Sequence, residues 1–470
     1  MRPYYLQLNG RWQHLWLAGS GAPLLLLHGS PNQALMLRPL IERLAQQFLV
    51  IAPDTPGNGY SDPLPASQGE AEHYAANALE LLSQLGVPRF AVYGFHTGAT
   101  TAAELATRAS AQVSAVVLDG YALWSDEEAA ALDERYLAPI EPAADGSHLT
   151  AIWSRAIDQN LFFPWYDGRR QNAISYDLRE LDRLHSRAMD FLNAGDAYRQ
   201  AYRPALKADG GERLARLAAT GVPTLVLAEA SDVLAGHRER MPSALDLSYE
   251  IAADSATRLD RIEAFFRAEA PALLADGVHL PDSRRRYVRP RELPVAADEW
   301  LYVALPDAHP RRLWLHDLGQ SHRRGASTDL RLDLPGHGYS TMRWPQEDDA
   351  VATILRETLA ELDLADIAVA GRGLGQQLAE AMAGTTPAPA SPPRVPDLSP
   401  SWEGAHLLRA WHYTRLRSQF RDWTAPHGAT RAATDLPEPA VLHTQTLDLL
   451  RAGAATLNRL GDPIGSTFPN

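Results

Sequence analysis

The strongest constraint on this chain is that it repeats itself. Pro23-Leu-Leu-Leu-Leu-His28-Gly29-Ser30-Pro31 is echoed by Leu313-Trp-Leu-His316-Asp317-Leu318-Gly319. Asp54-Thr-Pro-Gly-Asn-Gly-Tyr-Ser61 returns as Asp333-Leu-Pro-Gly-His-Gly-Tyr-Ser340, and Gly94-Phe-His96-Thr-Gly98 as Gly371-Arg-Gly373-Leu-Gly375. Further on, Gly146, His148, Leu149, Trp153, His185, Asp190 and Gly195 fall on Gly404, His406, Leu407, Trp411, His443, Asp448 and Gly453 at a fixed offset of 258. Motifs in one order plus a long ungapped match define a tandem duplication, so one copy's architecture must serve twice.

The copies are unequal. Between the Gly-x-x-x-Gly motif and the ungapped block the offset falls from 277 to 258, so the second copy lacks 19 residues there. The missing piece matches Val113-Ser-Ala-Val-Val-Leu-Asp119 in the first copy, whose apolar run reads as a strand. In its place stands the proline-rich stretch 385–396, which cannot form a central strand because proline has no N–H for the ladder. The second copy also stops short of anything equivalent to Pro223-Thr-Leu-Val-Leu-Ala228. We expect domains at 1–275 and 285–470, the second truncated and non-catalytic.

In the first copy, strands are predicted at 23–27, 48–52, 90–93, 113–118 and 223–228, with a last one near 245–253. Helices are predicted at 35–46, 70–85, 98–108 and 257–269, with a mainly helical insertion over about 125–206. Near-continuous apolar strands alternating with helices imply an α/β fold, a mostly parallel sheet covered on both faces.

These motifs resemble the α/β-hydrolase superfamily: a strand ending in His-Gly, then Asp-x-Pro-Gly-x-Gly-x-Ser-Asp, then Gly-x-nucleophile-x-Gly, with a helical cap after the sixth strand. The resemblance spans the first copy and the first half to two-thirds of the second. It implies an α/β-hydrolase fold with a helical cap, followed by a truncated, degenerate α/β-hydrolase-like repeat.

Two departures matter. At the elbow between the fifth strand and its helix, where the family places its nucleophile, this chain has His96, and the second copy has Gly373. The family's histidine after the last strand is missing, since no histidine lies between His237 and His279. Acid positions survive at Asp119 and Asp232. A histidine at a helix N-terminus is expected to have a lowered pKa. Neutral His96 then serves as general base or as nucleophile, oriented by Asp119 or Asp232. The backbone N–H groups of Ser30 and Thr97 stand where the family builds its oxyanion hole.

His28, His148, Trp153, Phe163 and Trp165 are candidate substrate-binding residues. His28 and His148 also read as structural, because His316 and His406 repeat them in the copy lacking an elbow side chain. Arg155, Arg169 and Arg170 are cap cations able to meet a substrate carboxylate or simply to face solvent. His28, His96 and His148 do not have short-range metal spacing, and no metal or cofactor is expected. Gly371-Arg-Gly373-Leu-Gly375 lacks the third glycine of a dinucleotide loop, where Gln376 stands.

Composition bounds the partners. With 44 Lys+Arg against 57 Asp+Glu and a net charge of −13, neither nucleic acid nor an anionic membrane is an expected partner. Cysteine is absent, removing disulfide and thiolate chemistry, and Lys207 is the one lysine, which excludes a Walker phosphate loop. The start carries no charged-then-apolar leader and no apolar stretch reaches membrane-spanning length, so a cytoplasmic protein is expected. Two functional classes follow. One is a cofactor-independent hydrolase or lyase for a small, largely apolar ester, lactone or C–C bond substrate. The other is a non-catalytic pseudoenzyme that binds a ligand or mediates association. Repeat-on-repeat packing or a homo-oligomer is expected to cover the open sheet edge left by truncation.

Overall fold

A computed structural model describes the chain except residues 175–177, 179, 271–277, 291–294, 348, 386–393, 421–422, 424–427, 429–430, 432–434 and 465–470. It divides into two units. The first comprises 1–141 and 154–282, the second 142–153 and 283–470. The start of the predicted cap thus groups with the second unit, and most of the proline-rich 385–396 stretch lies outside the described residues.

Unit 1 is built on strands β1 (Arg2–Leu8), β2 (Arg11–Ala18), β3 (Ala22–Leu27), β4 (Phe48–Pro53), β5 (Phe90–Phe95), β6 (Val113–Asp119), β7 (Thr224–Glu229) and β8 (Tyr249–Ala252), in the order β1-β2-β4-β3-β5-β6-β7-β8. From β4 to β8 the pairs are parallel, while β1 and β2 add an antiparallel hairpin at one edge that the sequence reading missed. Strand β3 is buried along its whole length, which accounts for its unbroken apolar run. The predicted helices form at Ala71–Gln84, Thr97–Arg108 and Ser255–Glu269, with Arg38–Leu44 following a short 3₁₀ turn. Apolar side chains on the two faces of this sheet make separate cores, one with Ala99, Ala102 and Leu105, the other with Ile262 and Phe266.

Unit 2 repeats the first five strands. Strands β9 (Arg285–Val288), β10 (Leu301–Ala304), β11 (Arg312–Leu315), β12 (Leu330–Leu332) and β13 (Ala368–Gly371) run in the order β13-β11-β12-β10-β9, the order and directions of β5-β3-β4-β2-β1. The sheet ends at β13. There Ala368 is exposed and the next three residues are half-buried within the single chain. Strand β5, its counterpart, has β6 beside it and is almost fully buried.

Each copy is pinned by one buried aspartate. Asp54 accepts from the Ala34 N–H at 2.7 Å and the Tyr60 N–H at 3.0 Å, and meets His14 Nδ1 at 2.8 Å. Asp333 likewise accepts from the Tyr339 N–H at 2.7 Å and the His322 N–H at 2.6 Å, with His322 Nδ1 2.9 Å from its other oxygen. Burial alone would push both carboxyls up, but the facing histidines outweigh it and hold them below the ordinary range. Removing one partner from such a site leaves buried donors unpaired. Asp54→Ala and Asp333→Ala are each expected to lose about 3–5 kcal/mol of stability in chemical denaturation, with neighbouring surface aspartates as neutral controls.

Candidate active site at the elbow

His96 stands between β5 and the helix Thr97–Arg108 with φ +49° and ψ −111°, a conformation costing a non-glycine residue roughly 1–3 kcal/mol. The turn is enforced by close packing. A Cβ on Gly94 would collide with the Gly98 carbonyl, and one on Gly98 with the Leu27 carbonyl. The His96 N–H donates to the Asp119 carbonyl at 2.9 Å, tying the turn to the end of β6. Gly373 has nearly the same angles, φ +57° and ψ −121°, so unit 2 keeps the elbow without its side chain.

The imidazole stacks on Phe95, centroids 4.0 Å apart, and crosses above Gly120. Its Nε2 meets Asp232 Oδ2 at 2.7 Å, while Asp232 Oδ1 accepts from the Leu234 N–H at 2.8 Å. The ring keeps 29% of its surface exposed and Asp232 only 9%. Among the described residues Nδ1 has no hydrogen-bond partner, and it is not buried. Burial penalises the charged ring, but the Asp232 carboxylate and its hydrogen bond outweigh that, so the His96 pKa is raised. The expected lowering by the helix N-terminus is therefore corrected: a contacting carboxylate overrides half a unit of helix-end charge. Asp232 is correspondingly held down by His96, against the upward pull of its own burial.

Asp119 does not orient His96. It accepts from Tyr93 Oη at 2.6 Å and pairs with Arg258. Arg258 lies just after β8, on the segment where the family resemblance implies a histidine. Of the two open acid positions, the structure brings only Asp232 to the elbow.

The oxyanion loop is altered too. The Ser30 N–H donates to Thr97 Oγ1 at 2.7 Å, and Thr97 Oγ1 lies 3.2 Å from Ser30 Oγ, so one of the two expected oxyanion donors is engaged. Thr97 N–H stands at the first helical position, beyond the reach of intrahelical carbonyls. Unit 2 shows what this geometry binds. There the N–H groups of Leu318 and Leu374, which take the places of Ser30 and Thr97, converge on Asp317 Oδ1 at 2.8 and 3.0 Å. The two amides bind one anionic oxygen in that copy. A Cβ on Gly373 would strike that carboxylate, so the glycine there suits the filled hole.

The expected substrate-binding residues lie elsewhere. His28 is fully buried, with Nδ1 on the Gly29 carbonyl at 3.0 Å and Nε2 accepting from the Thr55 N–H at 2.8 Å, so it braces the loop. His148 and Trp153 belong to unit 2 and are buried there. Phe163 packs on Trp124 and Tyr136, and Trp165 Nε1 donates to the Tyr136 carbonyl at 3.2 Å. Arg155 is buried beneath this cluster, 4.6 Å from the Trp165 ring and 4.9 Å from that of Tyr198. Arg169 pairs with Asp167 at the surface. His28, His96 and His148 do not assemble, and no group of three metal-capable side chains forms among the described residues. No described helix is long and apolar enough to cross a membrane.

Two cap residues that the sequence reading left without a role sit beside the loop. On the helix Leu181–Ala194, Arg187 donates to Asn32 Oδ1, and its charge lowers the pKa of His96. Asp190 accepts from Gln33 Nε2 at 3.4 Å, and burial pushes its carboxyl up to about 7, against Arg187. The recurrence of Asp190 as Asp448 was the available sequence signal.

An eight-stranded, mainly parallel sheet with a strained strand–helix elbow and a buried acid after β7 defines a class, and comparison agrees. Residues 22–139 match the family model described as alpha/beta hydrolase fold. The soluble epoxide hydrolase of Corynebacterium sp. (strain C12) is 41% identical over 95 residues, 20% of this chain and 33% of that protein. Haloalkane dehalogenase 2 of Mycobacterium tuberculosis (strain ATCC 25618 / H37Rv) is 29% identical over 106 residues, 23% of this chain and 37% of that protein. A crystallised hydrolase from Pseudomonas aeruginosa PA01 is 24% identical with a TM-score of 0.44, covering 57% of this chain and 98% of its own. The matched stretches span about a third of these two curated relatives' length. The N-terminal unit thus has the α/β-hydrolase fold, and over residues 22–139 it resembles that family.

Asp190 offers a direct check. Its folded pKa of about 7 exceeds the unfolded value of about 4, so the folded state holds the proton more tightly. Its contribution is complete below about pH 4 and is lost as pH rises to about 7. Melting temperatures followed across that window are expected to fall less in Asp190→Asn than in the parent chain.

Proposed function

We propose that the N-terminal unit is a cofactor-independent hydrolase, or a lyase working by the same proton abstraction, for a small, largely apolar ester, lactone or C–C bond substrate. His96 is the general base and Asp232 the carboxylate that orients it. One observation carries this reading: the elbow imidazole reaches the acid with Nε2, keeps 29% of its surface exposed, and leaves Nδ1 without a hydrogen-bond partner among the described residues. In the family pattern a serine and a histidine bridge that span. Here a single ring does so.

In the proposed cycle Nδ1 takes a proton from water, and the hydroxide adds to the substrate carbonyl. Asp232 stabilises the imidazolium. The tetrahedral oxygen faces the Thr97 N–H, joined by the Ser30 N–H once the Thr97 hydroxyl turns away. Collapse expels the leaving group, which recovers the proton from Nδ1. An epoxide hydrolase and a haloalkane dehalogenase among the relatives support a small apolar substrate.

The same Thr97–Ser30 bond favours a second reading, a ligand-binding module without turnover. A panel of small esters and lactones separates the two. We expect turnover whose kcat/KM rises with pH through a midpoint above the ordinary histidine value, since the base must be neutral. His96→Ala is expected to lose about 100- to 10,000-fold, and Asp232→Asn to move the midpoint to lower pH. Turnover unchanged in His96→Ala refutes the base assignment, and binding without turnover supports the second reading.

A further inference from the structure

The helices Ser147–Leu161 and Ala405–Gln419 are counterparts in the two copies, and unit 2 holds the start of one against the other. Both open with Gly-x-His-x-x-x-x-Trp: Gly146, His148 and Trp153 in one, Gly404, His406 and Trp411 in the other. Their contacts are reciprocal. The His148 ring lies edge-on to Trp411 with centroids 5.1 Å apart, and the Trp153 ring edge-on to His406 at 5.0 Å. Each glycine makes room for the opposite tryptophan. A Cβ on Gly146 would come within 2.8 Å of Trp411, and one on Gly404 within 2.5 Å of Trp153. Each histidine is fixed alike, His148 Nδ1 accepting from the Ala143 N–H at 3.1 Å and His406 Nδ1 from the Ser401 N–H at 3.3 Å.

Residue i touching j, while the copy of j touches the copy of i, is the mark of a two-fold contact between identical surfaces. A tandem repeat stacked head to tail would not produce it. The symmetry has drifted at one point. Trp153 Nε1 donates to the Trp402 carbonyl at 2.8 Å, whereas Trp411 Nε1 is buried without a partner among the described residues, and the equivalent Ala144 carbonyl accepts from Arg415 at 2.5 Å.

We infer that residues 142–153 form a self-complementary association surface, that its built-in partner is its own repeat at 404–411, and that a second copy of this chain fits the same surface. Another chain's Gly146, His148 and Trp153 present the groups that Gly404, His406 and Trp411 present within this one. The truncated copy then has a role without catalysis, as a covalently attached replacement for a partner subunit. It also explains why His148 and Trp153 recur in a copy that has no elbow side chain.

The test is the solution mass of the full-length chain by light scattering across a concentration series. The parent is expected at the mass of one chain. Disabling the repeat with His406→Ala and Trp411→Ala together leaves 146–153 unmatched, and the mass is expected to double with rising concentration. Adding His148→Ala and Trp153→Ala to that variant is expected to restore the single-chain mass. Should loss of the buried Trp411 ring unfold the chain, Gly404→Ala decides instead, because it keeps every ring while its Cβ, 2.5 Å from Trp153, blocks that seat at the cost of a local strain at φ +70°. A folded variant that stays at single-chain mass at high concentration, or doubling that persists after His148 and Trp153 are removed, overturns the inference.

Discussion

The close approach of the helix Thr97–Arg108 to the ends of β3 and β5 is the constraint on which the rest depends. It needs two positions without side chains, Gly94 and Gly98, and it forces the residue between them into a positive φ above the carboxyl ends of the strands. Whatever stands at 96 is thereby presented to the acid that follows β7. The pinning of Asp54 and Asp333 supports the same arrangement from below, holding the loops that carry His28 and His316 in identical postures.

With the scaffold fixed, the two copies differ by what occupies their elbows. In unit 2 the side chain is gone and an aspartate has moved in, so both amides close on Asp317 and the site is satisfied from within. In unit 1 the elbow carries an imidazole anchored on Asp232, and only the Ser30 amide is engaged, by a neutral hydroxyl. A carboxylate held by two amides is hard to displace. A threonine hydroxyl making one short bond is easier to exchange for a developing oxyanion. The electrostatics also separate the copies: Asp232, Asp119 and Arg187 all act on the His96 ring, making its protonation state the adjustable quantity of the site.

Much of this architecture was legible in the sequence, because fully buried parallel strands are written as unbroken apolar runs and the glycine motifs fix where they turn. The β1–β2 hairpin was not. Its second strand buries Gln13 and His14, which are satisfied by Asp54 and Ser61 from distant parts of the chain, so the segment has no strand-like polarity pattern. The elbow and its acid were legible as residues but not as a pair. Choosing Asp232 over Asp119 required knowing that Arg258 and Tyr93 claim the latter. The direction of the His96 shift was missed for the same reason. The helix N-terminus is adjacent in sequence, while Asp232 lies 136 residues away. Arg187 and Asp190 sit on a cap helix with other charged residues; Asp190 is marked in the sequence by its recurrence as Asp448, and packing beside the Asn32–Gln33 turn is what distinguishes Arg187.

The central claim is that His96 is a base poised by Asp232 with its second ring nitrogen free of any partner among the described residues. Nitrogen NMR of the isotopically labelled histidine, followed through a pH titration in the parent chain and in Asp232→Asn, tests it most directly. The account predicts a neutral ring protonated at Nε2, titrating above the ordinary value of about 6.5, with the midpoint falling when the carboxylate becomes an amide. A ring that titrates at or below that value, and that does not respond to Asp232→Asn, contradicts it.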